Sequence, residues 1–419
     1  MRRSRRLPVI SSTSRPPATS LPAEVFIVRS PCRAFYHAKQ AFATHGRLGA
    51  RERLTHRAGV RKHELEEGSR LAVREDFGGG DEIRFERQGR AGVVTLTRAK
   101  ALNALSHGMV KALHRALDAW RDDPSVERVV VSAEGRAFCA GGDIVDVYKA
   151  GKEGRLLTEF FADEYRMNAA LEAFPKPYVA LIDGIVMGGG VGISAHGSHR
   201  IVTENTVFAM PEVGIGFFPD VGGSHFLPGL RGASGMYLAL TGNRIRWGDQ
   251  LHAGFATHAV RSERLPELRE RLIAGDDLDA TLSHFSEGPN PETQDPNWQA
   301  VDRHFSKPTL EAVLDSLREA DDEFSGSVLG TIAKRSPTSL AVTFRQLTAG
   351  RGRTMADCMN IEFRILNRML AGHDFYEGIR AVVIDKDNAP VWDPATLDGV
   401  TDDIVDSYFA PLGGGELGL

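Results

Sequence analysis

Residues 178–182 contain only apolar side chains and follow directly on Pro177. A strand that has no polar face must be buried on both sides, which is the usual situation of a strand in a parallel sheet. Such a sheet needs helices to cover its faces, because the sheet alone would leave apolar surface in water. This segment therefore indicates an α/β domain.

The chain before this segment has the periodicity of two strands, a helix and a third strand. Residues 83–86 and 93–97 are predicted strands, joined across a turn at residues 89–92. A helix is expected next, with Ser106 as its N-cap, and residues 126–132 resume as a strand. The packing face of the helix consists of apolar residues at helical spacing, namely Met109, Leu113, Ala116, Leu117 and Trp120. The order of these elements also predicts an α/β fold.

Residues 1–80 differ in composition from the rest and are expected to lie outside the fold. They are rich in Arg, Ser and Pro, and the part before Lys62 has only Glu24 and Glu52 as acids. Three interpretations remain open: an organelle transit peptide, a coding region extended upstream of its true start, and a basic tail that binds nucleic acid. The lack of methionine between Met1 and Met109 weighs against the second.

The remaining chain is predicted to comprise a catalytic core at residues 81–285 and a mainly helical C-terminal region at residues 286–419 that packs on it. Residues 287–298 hold prolines among polar residues and are expected to be a linker or loop. Two amphipathic stripes follow and are predicted to be packing faces of helices. They consist of Leu310, Val313, Leu314 and Leu317, and of Met359, Phe363, Leu366 and Leu370.

Charge, hydropathy and cysteine content exclude several classes of protein. The formal net charge of -4 argues against a general nucleic-acid binder, and no apolar run reaches the ~18 uncharged residues that suit a membrane span. The cysteines Cys32, Cys139 and Cys358 are too far apart for a zinc ribbon and make no disulfide framework, so a reducing compartment is expected. Cys139 alone remains a candidate nucleophile.

Two glycine-containing segments are candidates for holding a substrate oxygen. Gly188, Gly189 and Gly190 follow the buried strand and open a run of small residues that predicts a short helix. Gly141 and Gly142 follow another predicted strand, and glycine leaves the backbone free to point an N–H group at a ligand. Two such donors that converge on one carbonyl oxygen would form an oxyanion hole, where a good donor contributes roughly 3 kcal/mol to acyl transfer.

Three acids stand among apolar residues and are candidates for acid, base or nucleophile chemistry. Glu212 follows an apolar run and Pro211, and Asp220 follows two phenylalanines and Pro219. Glu164 lies on the buried face of a predicted helix, which it shares with Leu157, Phe160, Phe161, Asn168 and Leu171. The alternative for all three is a structural role, in which a neighbouring donor satisfies each carboxylate.

Several other functional motifs are excluded by the residues around them. Residues 190–195 satisfy the dinucleotide fingerprint G-x-G-x-x-G/A, but only about nine residues separate the glycines from the next predicted strand at 200–203, too few for a βαβ crossover. No lysine follows the glycines as in a P-loop, and His196 stands where a nucleophile elbow at Ser194 needs glycine. The chain contains no H-E-x-x-H pair, and no metal is expected.

Longer motifs resemble the crotonase (enoyl-CoA hydratase/isomerase) superfamily and, within it, the subfamily of 3-hydroxyisobutyryl-CoA hydrolases. The resemblance covers nearly all of the chain after Ile83. The superfamily pattern lies at residues 101–105, 138–143 and 187–190, although Ala99 replaces a proline that is common there. The subfamily pattern lies at residues 176–181, 208–212, 216–223, 336–340, 374–375, 377–381 and 384–387.

The resemblance implies a spiral of ββα units with a mainly helical C-terminal region, and a thioester oxygen held by the N–H groups of Gly142 and Gly189. Hydratases of the superfamily use two glutamates, at the positions of Gly192 and Glu212, and this chain lacks the first. A residue without a side chain is neither acid nor base, so hydration is not expected. The hydrolase pattern instead implies Glu212, Asp220 and the two oxyanion glycines as catalytic residues. The substrate-binding residues that it implies are Glu164, Gly189, Glu212 and Asp220.

The activity implied is hydrolysis of 3-hydroxyisobutyryl-CoA, an intermediate of valine catabolism, and of 3-hydroxypropionyl-CoA. No cofactor is expected, because coenzyme A is part of the substrate. An enoyl-CoA isomerase or hydratase and a non-catalytic acyl-CoA-binding protein are the alternatives. The expected partner is the acyl-CoA substrate, without nucleic acid or membrane, and a homo-oligomer is left open. The compartment would be the cytoplasm of a bacterium, or the mitochondrial matrix if residues 1–80 are a transit peptide.

Overall fold

Two β-sheets lie at the centre of the computed structural model, which describes residues 72–419. The strands, numbered in chain order, are β1 (Val73–Glu75), β2 (Ile83–Gln88), β3 (Ala91–Leu96), β4 (Arg128–Ala133), β5 (Ala137–Cys139), β6 (Tyr178–Ile182), β7 (Ile185–Met187), β8 (His199–Val202), β9 (Val207–Ala209) and β10 (His258–Ala259). The larger sheet has the order β1-β2-β3-β4-β6-β8-β10, and the smaller has the order β5-β7-β9.

Successive strands alternate between the two sheets. β4, β6 and β8 lie in the larger sheet, and each is followed by one strand of the smaller sheet. Apart from β1 and β2, whose pairings are antiparallel, neighbouring strands are parallel in both sheets. A helical segment follows each pair of strands, so the chain forms the predicted spiral of ββα units.

Helices cover the sheets and make up most of the chain after residue 286. They are α1 (His107–Arg121), α2 (Ile144–Lys152), α3 (Thr158–Glu172), α4 (Gly189–Ala195), α5 (Gly223–Phe226), α6 (Ser234–Thr241), α7 (Trp247–Ala253), α8 (Leu265–Ala274), α9 (Leu278–Phe285), α10 (Asp295–Phe305), α11 (Leu310–Ala320), α12 (Glu323–Ile332), α13 (Pro337–Gly350), α14 (Met355–Met369), α15 (Asp374–Ile379) and α16 (Asp402–Phe409).

Shorter helical turns connect some of these helices and strands. A π-helical turn (Arg380–Ile384) continues α15, and 3-10 turns lie at Ala99–Ala101, Glu212–Ile215, Leu227–Gly229, Ser262–Arg264 and Leu397–Gly399. None of the helices within residues 72–419 combines the length and apolarity that crossing a bilayer requires.

The predicted strands and helix of the larger sheet are confirmed, with small shifts at their ends. β6 spans Tyr178–Ile182 and is buried along its whole length. Ser106 caps α1 as expected, because its hydroxyl accepts a hydrogen bond from the N–H of Met109. The hairpin between β2 and β3 is tighter than predicted: Ala91 pairs with Gln88, so the turn needs only two residues instead of four.

The C-terminal region differs from the prediction at its start. Residues 287–298 were expected to be a linker, but α10 begins at Asp295 and has Pro296 in its first turn. Proline is well tolerated there, because the first N–H groups of a helix have no intrahelical acceptor. The apolar stripes predicted from residues 310 and 359 onward are the buried faces of α11 and α14.

The C-terminal helices share a hydrophobic core with the sheets. Met359, Phe363 and Leu366 of α14 belong to the same buried cluster as Leu113 and Tyr178. The boundary at residue 285 therefore stays a prediction. At the other end, β1 pairs with β2 inside the range 1–80 that was expected to lie outside the fold, so that boundary is too late. Residues 1–71, which hold most of the predicted extension, lie outside the described residues.

Candidate active site

A cavity of about 620 Å³ opens between the smaller sheet, α3 and the C-terminal region. The five predicted site residues, which come from four separate segments of the sequence, all line it; they are Gly142, Glu164, Gly189, Glu212 and Asp220. Most of the remaining lining is apolar, including Phe161 and Phe217. The structure thus places at one cavity all five residues that were predicted to be catalytic or substrate-binding, whereas Cys139, the alternative nucleophile, does not line it.

The two glycine segments meet because they leave neighbouring parallel strands at the same edge of the smaller sheet. Gly142 follows β5, and Gly189 begins α4 directly after β7. A Cβ placed on Gly189 would lie only 3.3 Å from the amide nitrogen of Gly142. Neither N–H group has a hydrogen-bond acceptor among the described residues. Two free donors therefore stand side by side at the cavity, as an oxyanion hole requires.

Gly188 sets the direction of this turn. Its φ of 47° and ψ of -123° belong to a conformation that only glycine adopts readily. The turn leads directly into the first residue of α4, where helix N–H groups lack intrahelical acceptors. The glycine triplet therefore supplies both the sharp turn and the free donor at Gly189.

Glu164 lies on α3 and faces the paired glycines. A Cβ on Gly189 would come within 2.7 Å of Glu164 Oε1, and this oxygen has no hydrogen-bond partner among the described residues. The side chain is buried, and burial raises the pKa of Glu164 to about 8. At neutral pH the group is therefore mostly protonated, in which state it can donate a hydrogen bond to a substrate oxygen.

Glu212 begins the 3-10 turn that follows β9. Burial raises the pKa of Glu212 to about 8, and its Oε2 has no described hydrogen-bond partner. Its Oε1 lies 3.3 Å from the point where a Cβ on Gly188 would stand. The carboxyl group is thus beside the glycine turn, with one oxygen free to act on a bound group.

Asp220 is the third buried acid of the cavity. Tyr165 of α3 donates its hydroxyl hydrogen to Asp220 Oδ2 at 3.0 Å. Burial raises the pKa of Asp220 well above its usual range, and the nearby carboxylates of Glu164, Glu212 and Glu362 raise it further. Sequence reasoning missed Tyr165, although its place next to Glu164 on the same helix was a usable signal.

The space beside Gly192 is filled. A Cβ on Gly192 would lie 2.8 Å from the Cβ of Val221 and 2.9 Å from Asn168 Nδ2. Val221 has a φ of 52°, which is rare for a β-branched residue and costs on the order of 1–3 kcal/mol. A glutamate at position 192 therefore has no room unless the loop that carries Asp220 moves.

Cys139, the alternative nucleophile, is poorly suited to that role. It is fully buried, and burial raises the pKa of its thiol to about 12. The thiolate is the nucleophilic form, so a thiol with this pKa is inert near neutral pH. Among residues 72–419, no group of His, Cys, Asp and Glu has an arrangement that could hold a metal ion.

The C-terminal region also contributes to the wall of the cavity. Gly378 of α15 packs against the 3-10 turn of Glu212, and a Cβ on it would lie 2.2 Å from the carbonyl carbon of Ile215. The π-helical turn contributes Val382 and Val383 to the lining. The sequence signal for this contact was only the glycine within an otherwise helical stretch.

Two arginines line the same cavity without a carboxylate partner. Arg335 donates from Nε to the carbonyl oxygen of Thr241 at 2.9 Å, and no described acid pairs with Arg335 or Arg244. Unpaired guanidinium groups at a cavity favour phosphate ligands, because their planar donors match phosphate oxygens.

Comparison with known proteins identifies the family. The sequence profile of the enoyl-CoA hydratase/isomerase family matches residues 91–409. The chain belongs to this family. A relative from Xenopus tropicalis, named 3-hydroxyisobutyryl-CoA hydrolase, mitochondrial, is 45% identical over 350 residues, which cover 81% of this chain and 91% of the relative. A human relative of the same name is 41% identical and covers 80% of this chain and 90% of its own.

Solved structures of the enoyl-CoA hydratase/isomerase family share the fold. A carnitinyl-CoA dehydratase from Mycobacterium thermoresistibile is 39% identical, with a TM-score of 0.74 and coverage of 83% of this chain and 98% of its own. An enoyl-CoA hydratase from Rhodobacter sphaeroides is 40% identical, with the same TM-score and coverage of 79% and 98%. The names of these proteins thus divide between hydrolase and hydratase or dehydratase. The filled space beside Gly192 helps to distinguish these activities, because it leaves no room for a second acid.

Proposed function

We propose that the protein hydrolyses the thioester of 3-hydroxyisobutyryl-CoA to 3-hydroxyisobutyrate and CoA, a step of valine catabolism. The observation that carries the proposal is the pairing of a free Glu212 oxygen with two free N–H donors, at a site where Val221 fills the space beside Gly192. Hydration would need a second acid there. The names of the curated relatives support the same activity.

Substrate binding follows from the donors at the cavity. The N–H groups of Gly142 and Gly189 hold the thioester carbonyl oxygen, which gains negative charge as the carbonyl carbon becomes tetrahedral. Arg244 and Arg335, which lack acidic partners, bind phosphate groups of the CoA moiety. Coenzyme A enters as part of the substrate, and we propose that no other cofactor takes part.

Glu212 performs the chemistry by one of two routes. As a nucleophile, its carboxylate attacks the carbonyl carbon, CoA leaves as the thiolate, and water then hydrolyses the mixed anhydride. As a general base, it takes a proton from a water molecule that attacks the same carbon. Single turnover in the presence of hydroxylamine separates the routes, because only the anhydride converts Glu212 to a hydroxamate that peptide mass spectrometry detects.

Glu164 and Asp220 hold the part of the substrate that distinguishes it from a plain acyl-CoA. Both are buried at the cavity with raised pKa values, so each can donate a hydrogen bond from a protonated carboxyl group. We assign the 3-hydroxyl group and the attacking water to these two acids. Replacing each acid in turn by alanine, which removes the donor, and comparing 3-hydroxyisobutyryl-CoA with isobutyryl-CoA shows which of them holds the hydroxyl group.

Thiol release is the decisive assay. The protein is incubated separately with 3-hydroxyisobutyryl-CoA, 3-hydroxypropionyl-CoA and crotonyl-CoA, and free CoA is titrated with a thiol reagent. We expect release from the two 3-hydroxyacyl esters and not from crotonyl-CoA. Double-bond migration in a 3-enoyl-CoA without thiol release would identify an isomerase that uses Glu212 alone. Binding without any turnover would identify an acyl-CoA-binding protein.

The compartment depends on how the N-terminus is processed. The names of the curated relatives include the word mitochondrial, which agrees with the transit-peptide interpretation of residues 1–80. Mass spectrometry of the native N-terminus tests it. Cleavage of the arm supports the mitochondrial matrix, and a translational start near residue 75 supports the cytoplasm of a bacterium.

A further inference from the structure

The loop that carries Asp220 is fixed by side chains that do not line the cavity. It connects the 3-10 turn at Glu212–Ile215 to α5, and it includes Val221 in the left-handed region with a φ of 52°. A β-branched residue keeps such a conformation only when its surroundings determine it. The contacts that hold this loop therefore decide where the Asp220 carboxyl group points.

Glu362 makes the most direct of these contacts. It is fully buried on α14, and its Oε2 accepts a hydrogen bond from the N–H of Gly222 at 2.9 Å. Its Oε1 accepts a second one from the N–H of Ser224 at 2.8 Å. One carboxylate thus binds two N–H groups of the turn that follows Val221, about 140 residues away in the sequence.

Two further side chains hold carbonyl groups of the same loop. Gln346 of α13 donates from Nε2 to the carbonyl oxygen of Pro219 at 2.7 Å. His196 donates from Nε2 to the carbonyl oxygen of Val221 at 2.7 Å, since a carbonyl can only accept. The backbone is therefore held on both sides of Asp220, by side chains of α13, of α14 and of the residue that follows α4.

We propose that Glu362 is a positioning residue that holds Asp220 in its working orientation through Gly222 and Ser224. This inference rests on the proposed role of Asp220 in hydrolysis. Glu362 has no cationic partner among the described residues, and a buried carboxylate without one is costly compared with an apolar side chain of similar size. Its two hydrogen bonds to the Asp220 loop account for its presence.

Glutamine is the informative substitution for Glu362. It keeps the size of the side chain, but its amide has one acceptor oxygen where the loop presents two N–H donors. One donor is left buried and unpaired, facing an NH₂ group. In Glu362→Gln we expect kcat to fall by roughly tenfold, because a small misplacement of an active-site group lowers the rate steeply, while KM stays within about twofold. A merely structural role would lower the yield of folded protein and leave kcat per folded molecule unchanged.

A double-mutant cycle tests whether Glu362 acts through Asp220. Asp220→Ala alone should lower kcat, and adding Glu362→Gln to it should change kcat by less than about twofold, because the coupled group is already lost. Independent, multiplying losses would overturn the inference. So would an undiminished kcat in Asp220→Ala. Leu268→Ala is the control for lost stability, because it removes a buried side chain of α8 in a different hydrophobic cluster. It should lower the melting temperature and leave kcat unchanged.

A crystal structure of Glu362→Gln gives a readout that does not depend on the reaction. We expect Val221 to leave the left-handed region and the Asp220 carboxyl group to shift. An unmoved loop would overturn the inference even if the hydrolase activity is established. Conversely, a wild-type protein that releases no thiol would contradict the proposed function, while a displaced loop in the variant would still support the positioning role of Glu362.

Discussion

The Cβ of Val221 lies 2.8 Å from the position that a Cβ on Gly192 would occupy. Val221 is in turn the neighbour of Asp220, so the residue that closes the space for a hydratase glutamate also belongs to the loop that brings in the second hydrolytic acid. The absence of an acid at position 192 and the presence of Asp220 are therefore connected through one contact. The first prediction follows from this contact.

Gly192→Glu should not produce a hydratase. The new side chain collides with the side chains of Val221 and Asn168, and overpacking of this kind costs typically 1–3 kcal/mol of unfolding free energy. We expect a lower melting temperature, a loss of thiol release, and no change in the absorbance of crotonyl-CoA at the enoyl band. Measurable hydration by this variant would show that the space can accept the acid and would remove the main argument against a hydratase.

Gly189→Ala should block the oxyanion hole. The added methyl group would stand 2.7 Å from Glu164 Oε1 and 3.3 Å from the Gly142 nitrogen, where the carbonyl oxygen of the substrate is expected. Loss of an oxyanion-hole contact costs on the order of 10² in kcat, and steady-state thiol release measures it.

Gly330→Ala is the matched control for this substitution. Gly330 lies within α12, and a Cβ there meets no other atom within 4 Å. An alanine in a helix interior is favoured over glycine by roughly 0.5–1 kcal/mol, so the control should be slightly stabilised and fully active. Equal activity of both alanine variants would argue against the assignment of Gly189.

The sequence was sufficient to predict those features that depend on local pattern. An apolar run gives β6, a glycine triplet gives the turn before α4, and an acid on a buried helical face gives Glu164. These signals need only neighbouring residues, because strand and helix periodicity and turn chemistry are local. The convergence of the five site residues on one cavity followed from the family resemblance rather than from the periodicity.

Contacts between distant segments were not predictable in this way. Glu362 shares the buried stripe of α14 with Met359 and Phe363, so the rule that singled out Glu164 applies to it equally. What no local pattern shows is that its partners are Gly222 and Ser224. The filled space at Gly192 likewise depends on a backbone conformation of Val221 that is rare for its residue type, so propensity argues against it.

Gly378→Ala should disturb the site from the C-terminal side. A Cβ at this position would overlap the backbone of Ile215, three residues after Glu212, so either α15 or the 3-10 turn must move. We expect an unfolding free energy lower by at least 1–3 kcal/mol and a reduced kcat, measured by denaturant titration and thiol release. A stable and fully active variant would mean that the C-terminal helices do not set the position of Glu212.

The rate of hydrolysis should rise with pH up to the weakly alkaline range. Glu212 must be ionised to attack the carbonyl or to accept a proton, and burial raises its pKa to about 8 in the free protein. The profile of kcat/KM should therefore increase through pH 7 and reach a maximum near pH 8, after subtraction of spontaneous thioester hydrolysis. Above that pH Glu164, whose pKa burial also raises to about 8, loses the proton with which it donates to the substrate. A plateau that already begins near pH 5.5 would show that the reacting group has an ordinary carboxyl pKa.

Glu212→Gln should stabilise the fold while it removes the activity. In the wild-type protein burial raises the folded-state pKa of Glu212 from 4.5 to about 8, so the unfolded state binds fewer protons than the folded state in this range. The contribution of Glu212 to the unfolding free energy is therefore fully present below pH 4.5. It is lost as pH rises toward 8, and the unfolding free energy then falls by on the order of 1 kcal/mol per pH unit. The amide does not titrate, so the variant should match the wild type near pH 4.5 and exceed it at pH 8. Denaturant titrations at the two pH values measure the difference, and equal stabilities at both would contradict a raised pKa for Glu212.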